Sequence, residues 1–220
     1  IDGDGKMDFA IGSPLDGVSD WGAVHIHLGN NPGTAAVSLS GDYANHLLGT
    51  GLKSAGDFNG DGRSDVMFSG DTPNANGDYT LKIATHNGSG FQQNILLTST
   101  QDILGGGGVG DWNGDGFDDF AVALQNPNGT NADIYVVYGR SGVIPEYTLT
   151  DLQAPANAFK MTYTGISVGD DVEISAAGDV NGDGYADMVI GLSEADGGNG
   201  LVMVVNGRST GQSSEAVVGN

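Results

Sequence analysis

The sequence predicts an all-β protein assembled from repeated units of four antiparallel strands. Three observations lead there. A nine-residue loop of the form D-x-N-G-D-G-x-x-D recurs along the chain. Each copy is followed by a short apolar run of β type, and each complete copy also follows a small-residue stretch, so the loops link strands. Finally, the chain holds 39 glycines and only 16 % charged residues among 220, with Gly, Asn, Asp, Ser and Thr punctuating short Val, Ile, Leu and Tyr runs, as in proteins of many short strands and turns. No long run carries helical periodicity. The stretch from Thr148 to Phe159 contains Pro155 and is expected to be a loop or a single helical turn.

The loop copies start at Asp57, Asp111 and Asp179, spaced 54 and 68 residues apart. A further copy, Asp2-Gly3-Asp4-Gly5-Lys6-Met7-Asp8, lacks its first Asp, which would fall just before residue 1. Oxygens at alternate positions can curl around a hard cation, and the intervening glycines allow the tight turns. The expected ligands are Asp57, Asn59, Asp61 and Asp65, then Asp111, Asn113, Asp115 and Asp119, then Asp179, Asn181, Asp183 and Asp187, with Asp2, Asp4 and Asp8 in the truncated copy. Position seven needs no particular side chain, because it would offer its backbone carbonyl; Lys6, Arg63, Phe117 and Tyr185 stand there. Several oxygens from a flexible loop suit Ca²⁺ better than Mg²⁺, which holds its waters in a strict octahedron. An EF-hand would need Glu at position twelve, on a departing helix. That position holds Ile11, Phe68, Val122 and Ile190 instead, inside apolar β-type runs. Asp, Asn and Gly favour turns even without an ion, but the same carboxylate spacing in every copy favours a cage. The cages are expected to be structural, since the motif offers neither an open coordination position nor a neighbouring base.

Each unit reads in one order. A small-residue inner strand comes first: Leu52 to Gly56, Gly107 to Gly110, Ile174 to Gly178. The loop and an apolar strand follow: Phe9 to Ile11, Val66 to Phe68, Phe120 to Ala123, Met188 to Ile190. A third strand follows a polar connection: Gly22 to Gly29, Tyr79 to Thr85, Ala132 to Gly139, Gly200 to Gly207. A less regular fourth strand closes the unit: Ala36 to Leu39, Asn94 to Leu97, Tyr147 to Leu149, Glu215 to Val218. The units cover approximately 1–46, 47–100, 101–165 and 166–220 of a single segment. Four antiparallel strands in about 50 residues make a β-propeller blade. Small residues suit the inner strand, where blades crowd toward the central channel. The expectation is three complete blades and one lacking its inner strand.

With those residues in view, the pattern resembles the FG-GAP repeat of the integrin α-subunit β-propeller and its bacterial relatives. Ser175 to Gly191 carries the closest likeness, Ile11-Gly12-Ser13-Pro14 resembles the terminal Gly-Ala-Pro of the motif, and Val137-Tyr138-Gly139-Arg140 and Val205-Asn206-Gly207-Arg208 resemble the third-strand endings of secreted bacterial members. The second and third units depart from the Gly-Ala-Pro ending, with Phe68-Ser69-Gly70 and Ala123-Leu124-Gln125. The resemblance implies calcium in the loops, an extracellular setting, secreted or at a bacterial cell surface, and a ring of seven blades, of which four would be part. A first blade without an inner strand would then be completed by another copy or by the remainder of a longer parent chain.

Composition narrows the partners. The formal net charge is −21 with seven Lys and Arg, a poor match to nucleic acid, where cationic contacts dominate, and to anionic lipid. No stretch approaches the ~20 apolar residues of a membrane helix. Absence of cysteine excludes disulfides and thiol chemistry. Millimolar extracellular calcium suits weak oxygen cages.

The polar connections between second and third strands are the candidate ligand face, opposite the loops. They contribute Asp16, Asp20 and Trp21, then Asn74, Asn76 and Asp78, then Asn128 and Asn131, then Glu194, Asp196 and Asn199. Trp21 could stack on a sugar ring or fill a partner's pocket. His25 and His27 share a strand face at i, i+2, a spacing that could hold Zn²⁺ or Cu²⁺, but no third ligand is evident. There is no Gly-x-Ser-x-Gly elbow and no phosphate-binding loop; Gly105 to Gly108 leads into a strand. The chain is therefore expected to be a non-catalytic adhesion or recognition module for an extracellular protein or a glycan. The alternatives are an accessory module of a secreted hydrolase and a self-assembling structural repeat.

Overall fold

Four sheets succeed one another along the chain, and the Asp-rich loops turn it within the second, third and fourth. A computed structural model describes residues 1–165, 171–193, 195–210 and 215–217. The first sheet comprises β1 (Phe9–Ser13), β2 (Ala23–His27) and β3 (Val37–Ser40), and the second β4 (Lys53–Gly56), β5 (Asp65–Ser69), β6 (Tyr79–His86) and β7 (Phe91–Ser99). The third holds β8 (Ile103–Gly110), β9 (Asp119–Gln125), β10 (Asn131–Val137) and, after the helical turn α1 (Leu149–Leu152), β11 (Ala158–Thr164). The fourth holds β12 (Val172–Gly178), β13 (Asp187–Leu192) and, after the turn α2 (Ala195–Gly198), β14 (Leu201–Val205). A last strand, β15 (Glu215–Val217), lies in the third sheet. Within each sheet consecutive strands pair antiparallel. The fold is all-β and propeller-like, as expected.

Two expected closing strands are corrected. Tyr147 to Leu149 is not the fourth strand of the third unit. Tyr147 makes an isolated bridge to Leu97, and the chain then turns into α1, because Thr148 and Asp151 form a reciprocal capping box. The closing strand is β11, where Phe159, Met161 and Tyr163 alternate inward. Nor does Glu215 to Val217 close the fourth unit. It pairs parallel with β11, Met161 opposite Glu215 and Tyr163 opposite Val217. β11 presents its outer edge of unpaired amides and carbonyls there, a ready template for another strand. The fourth sheet thus has three described strands; Val218 lies outside the described residues.

The core lies between sheets. One buried cluster joins Val24, Ile26 and Leu48 to Val66, Phe68 and Ala84 of the second sheet. A second joins Met67, Leu81, Ile83 and Leu96 to Phe120, Val122, Leu124, Tyr135 and Val137 of the third. A third joins Ala121, Ala123, Ile134 and Val136 to Val172, Ile174, Met188 and Ile190 of the fourth. Alternate residues of β5, β9 and β10 therefore enter different clusters, as strand periodicity requires. Fully burying one Val, Leu or Phe stabilises by about 1.5–3 kcal/mol, against about 0.5–1.5 kcal/mol for a typical hydrogen bond, so stacking of sheets dominates the stability.

Inner strands touch backbone to backbone. β8 sits between β4 and β12, and its glycines alternate between them. A Cβ on Gly105 or Gly107 would lie 1.8 Å from the Val172 carbonyl oxygen or 2.3 Å from that of Ile174. On Gly108 it would lie 2.7 Å from the carbonyl oxygen of Ser54. This is why the glycine run stands in a strand, where glycine is otherwise unfavourable.

Gly107→Ala is accordingly expected to cost about 1–3 kcal/mol, the range for overpacking. Gly33, with nothing within 4 Å of its would-be Cβ, should tolerate alanine within about 0.5 kcal/mol. Thermal unfolding of the two variants, followed by circular dichroism, checks the difference; equal melting temperatures would contradict the close-approach explanation.

Candidate functional site

In each complete loop the first Asp organises the turn. Both oxygens of Asp57 accept amides, from Asp61 and Gly62 at 2.9 Å each. Asp111 and Asp179 do the same for Asp115 and Gly116, and for Asp183 and Gly184. Positions three and five add shorter turns: Asn59, Asn113 and Asn181 accept the amide two residues on, and so do Asp61, Asp115 and Asp183. Amides of Arg63, Phe117 and Tyr185 are held in this way, which fixes the backbone whose carbonyls are the expected position-seven donors. The glycines at positions four and six have φ between +71° and +92°, a region that L side chains rarely adopt.

The position-nine carboxylates begin β5, β9 and β13, and Asp65, Asp119 and Asp187 are each 0 % exposed. One oxygen of Asp119 accepts the amides of Trp112 and Asn113 at 3.0 and 3.1 Å, the other that of Gly139 at 2.8 Å. Asp187 likewise accepts from Val180 and Gly207, both at 2.8 Å, and Asp8 from Asp2 and Gly29. A single buried carboxylate thus ties the loop's start to the end of the third strand. The second unit has no glycine at that strand end, and Asp65 Oδ1 is buried with no hydrogen-bond partner.

These side chains fit a hard cation. The donors are all oxygens, mainly carboxylates. Asp2, Asp4 and Asp8 place one oxygen each within 4.8 Å of one another, the one such group among the described residues. In the complete loops Asn59, Asn113 and Asn181 instead turn their amide nitrogens to the neighbouring Asp. Burial pushes the Asp65 and Asp119 carboxyls up, to about 7 and about 8, and the nearby carboxylates add to the effect. The orphaned Asp65 oxygen and the concentration of like charge are both unfavourable unless a cation is close.

The connections on the other side do not converge on one site. Asp16 and Trp21 line a groove of about 460 Å³ with Val18, His25, Ser38 and Ser40. Trp21 is 40 % exposed. His25 bridges the groove, Nδ1 lying 2.8 Å from Ser38 Oγ and Nε2 3.1 Å from Asp16 Oδ2. Asp16, His25 and Ser38 thus form a hydrogen-bonding edge. His27 stacks on Phe9 and faces the Pro32 carbonyl, so the two histidines do not share a site. Asp20 contributes backbone: with Ser19 and Trp21 it accepts amides of Leu47, Asn45 and Leu48. Asn74, Asn76 and Asp78 are bonded to one another within their turn. Asn128 accepts the Thr130 amide, and Asn131 opens β10. Asn199 lines a separate shallow groove with Val202. Asp196 lies on α2, and Glu194 lies outside the described residues.

His46 is the residue that sequence reasoning missed. It is fully buried, stacked on Tyr43 at 4.2 Å, and its Nδ1 accepts the Asp42 amide. Buried Lys82 sits beside it, 2.6 Å from Asp42 Oδ2. The segment it anchors is the one that holds the Trp21 loop. Burial, then the Lys82 charge, push its pKa below the ordinary 6.5. The imidazole is neutral in the fold, while the unfolded chain takes up a proton below about 6.5, so this contribution is complete above that pH and lost as pH falls. Between pH 7.5 and 5.5 the melting temperature should therefore fall, and fall less in His46→Asn, measured in excess calcium. An unchanged pH slope in the variant would exclude this assignment.

Among the described residues no helix is long and apolar enough to cross a membrane. No curated protein matches the chain. Residues 57–122 match a family described as an FG-GAP-like repeat, and residues 173–205 match the FG-GAP repeat. The first match runs from the second loop through the third into β9, and the second takes in the fourth unit from β12 to β14. Both fall on the loop-and-strand units described above, and the chain carries FG-GAP repeats over those residues.

Proposed function

We propose that the chain is a calcium-stabilised, non-catalytic recognition module of an extracellular protein, and that it binds a protein or glycan through the groove beside Trp21. FG-GAP repeats are generally extracellular recognition or adhesion modules and typically non-catalytic. The observation that carries the reading is Trp21 itself. A half-open indole stands on a loop bonded at three successive carbonyls to the segment 42–48, next to the carboxylate, imidazole and hydroxyls of Asp16, His25, Ser38 and Ser40. Ser19, Asp20, Asn45 and Leu47 adopt φ between +54° and +59°, conformations that persist where surroundings over-determine them and that cluster at ligand sites. An aromatic face beside several hydrogen-bonding groups, held rigid, limits the ordering cost of binding.

Calcium would be held by the four Asp-rich loops through the carboxylates and carbonyls named above, with Asp65 Oδ1 finding a partner there. Its contribution would be stability: about 2.7 kcal/mol for each site at a hundredfold excess over Kd. Since 1 kcal/mol moves Tm by about 2–4 °C in a chain of this size, EGTA should lower Tm by about 5–10 °C per occupied site. Calcium should restore it and magnesium should restore less. A melting curve indifferent to EGTA, in protein shown by elemental analysis to contain no calcium, would end the calcium reading.

The groove is tested on an array of glycans and extracellular matrix proteins. Trp21→Ala should lose at least about 1–2 kcal/mol of binding, the scale of an aromatic anchor, while melting as the native chain does. Undiminished binding by Trp21→Ala would exclude the groove.

A further inference from the structure

Successive loops touch through one repeated contact. The position-seven side chain of each loop lies on the position-four glycine of the loop before it. Phe117 covers Gly60, whose would-be Cβ falls 2.3 Å from the ring, and Tyr185 covers Gly114 at 2.6 Å. Arg63 covers Gly3 at 3.1 Å and donates from Nε to the Asp2 carbonyl at 2.9 Å. Backbone bonds run beside these seats. The Asp118 amide donates to the Asp57 carbonyl and Asp118 Oδ2 accepts the Asp57 amide, while the Ala186 amide donates to the Asp111 carbonyl. The strand ends close the junction: the Arg140 amide donates to the Phe58 carbonyl and the Arg208 amide to that of Trp112.

Position four stands between two expected ligands, at three and five, and position seven is itself an expected ligand through its carbonyl. A side chain fixed at one end by its own loop therefore rests on the backbone that aims two donors of the next. We infer that the loops bind their cations cooperatively, and that Arg63, Phe117 and Tyr185 are the positioning residues that couple each loop to its predecessor. Ordering one loop seats the side chain that the neighbour otherwise orders alone, so the second ion binds a partly ordered site. The coupling is reciprocal: each loop favours the other by the same factor. This rests on the calcium reading above.

The third loop carries its own tryptophan. Trp112 is its second residue, where the other complete loops have Phe58 and Val180, and Trp21 lies on a strand connection at the far end of the first sheet. Terbium luminescence sensitised by tryptophan excitation therefore reports loop 111–119, and calcium displaces the signal. In the native chain the titration should be steeper than independent sites allow. In Tyr185→Ala the carbonyl of residue 185 survives, yet half-saturation at loop 111–119 should move to about fivefold higher ion or more, the lower bound of typical coupling. Tyr185→Phe, which keeps the ring on Gly114, should restore the native value. Should Tyr185→Ala fold poorly, Asp61→Asn serves instead: it weakens loop 57–65, leaves Phe117 on Gly60 and should shift loop 111–119 in the same direction. A native half-saturation in either folded variant overturns the coupling while leaving the calcium reading intact. A native chain that retains neither terbium nor calcium, by elemental analysis after dialysis, overturns both.

Discussion

The position-nine carboxylate is the constraint on which each unit depends. Asp119 is buried where water cannot reach it, and it can stay there only if its oxygens are supplied with donors. It takes two from the start of its loop and one from the end of β10. These bonds set the width of the loop, the place where β10 must stop and the need for glycine at 139, since a side chain there would strike the Asp118 carbonyl. Asp187 repeats the arrangement with Gly207. Asp65 shows the same geometry with one donor missing.

Sheet stacking follows from a second constraint, backbone proximity. Glycines of β8 let β4 and β12 approach on opposite sides, and the larger side chains of the strands behind fill the widening space. The third sheet has bare backbone at its inner edge, then Phe120, Val122 and Leu124 alternating with Ala121 and Ala123, then Tyr135, Phe159 and Tyr163 further out. Loops, strand ends and inner strands are therefore parts of one packing solution.

Much of this was legible in the sequence because it repeats. The loops, the small-residue strands before them and the apolar strands after them fall where spacing and strand period place them, and His25 and His27 do share a face. What was not legible depended on competition between local and distant interactions. Tyr147 to Leu149 reads as a strand until the Thr148–Asp151 capping box is weighed, and the β signal of Phe159, Met161 and Tyr163 was masked by the preceding Pro155. Glu215 to Val217 reads as the closing strand of the fourth unit; it is a strand, but nothing local says that its partner is β11 of the third sheet. The ligand face was the least legible. Asn74, Asn76 and Asp78 look like an exposed polar cluster and are spent on their own turn, whereas the Trp21 groove depends on His46, a residue that appears unremarkable in sequence and acts through burial.

Strand β9 carries one more consequence. A strand with one wet face keeps its alignment because sliding by one residue would expose its apolar set. β9 is covered on both faces, so solvation barely distinguishes the two alignments: Phe120, Val122 and Leu124 would trade places with Ala121 and Ala123. Size distinguishes them instead. The large set points toward the second sheet and the small set toward the fourth, and a slipped β9 would leave voids on one side and collisions on the other. In the middle of this protein alignment is therefore a steric property, and exchanging Ala121 and Val122 would preserve composition, hydropathy and strand propensity while removing part of the asymmetry that tells the strand where to stop.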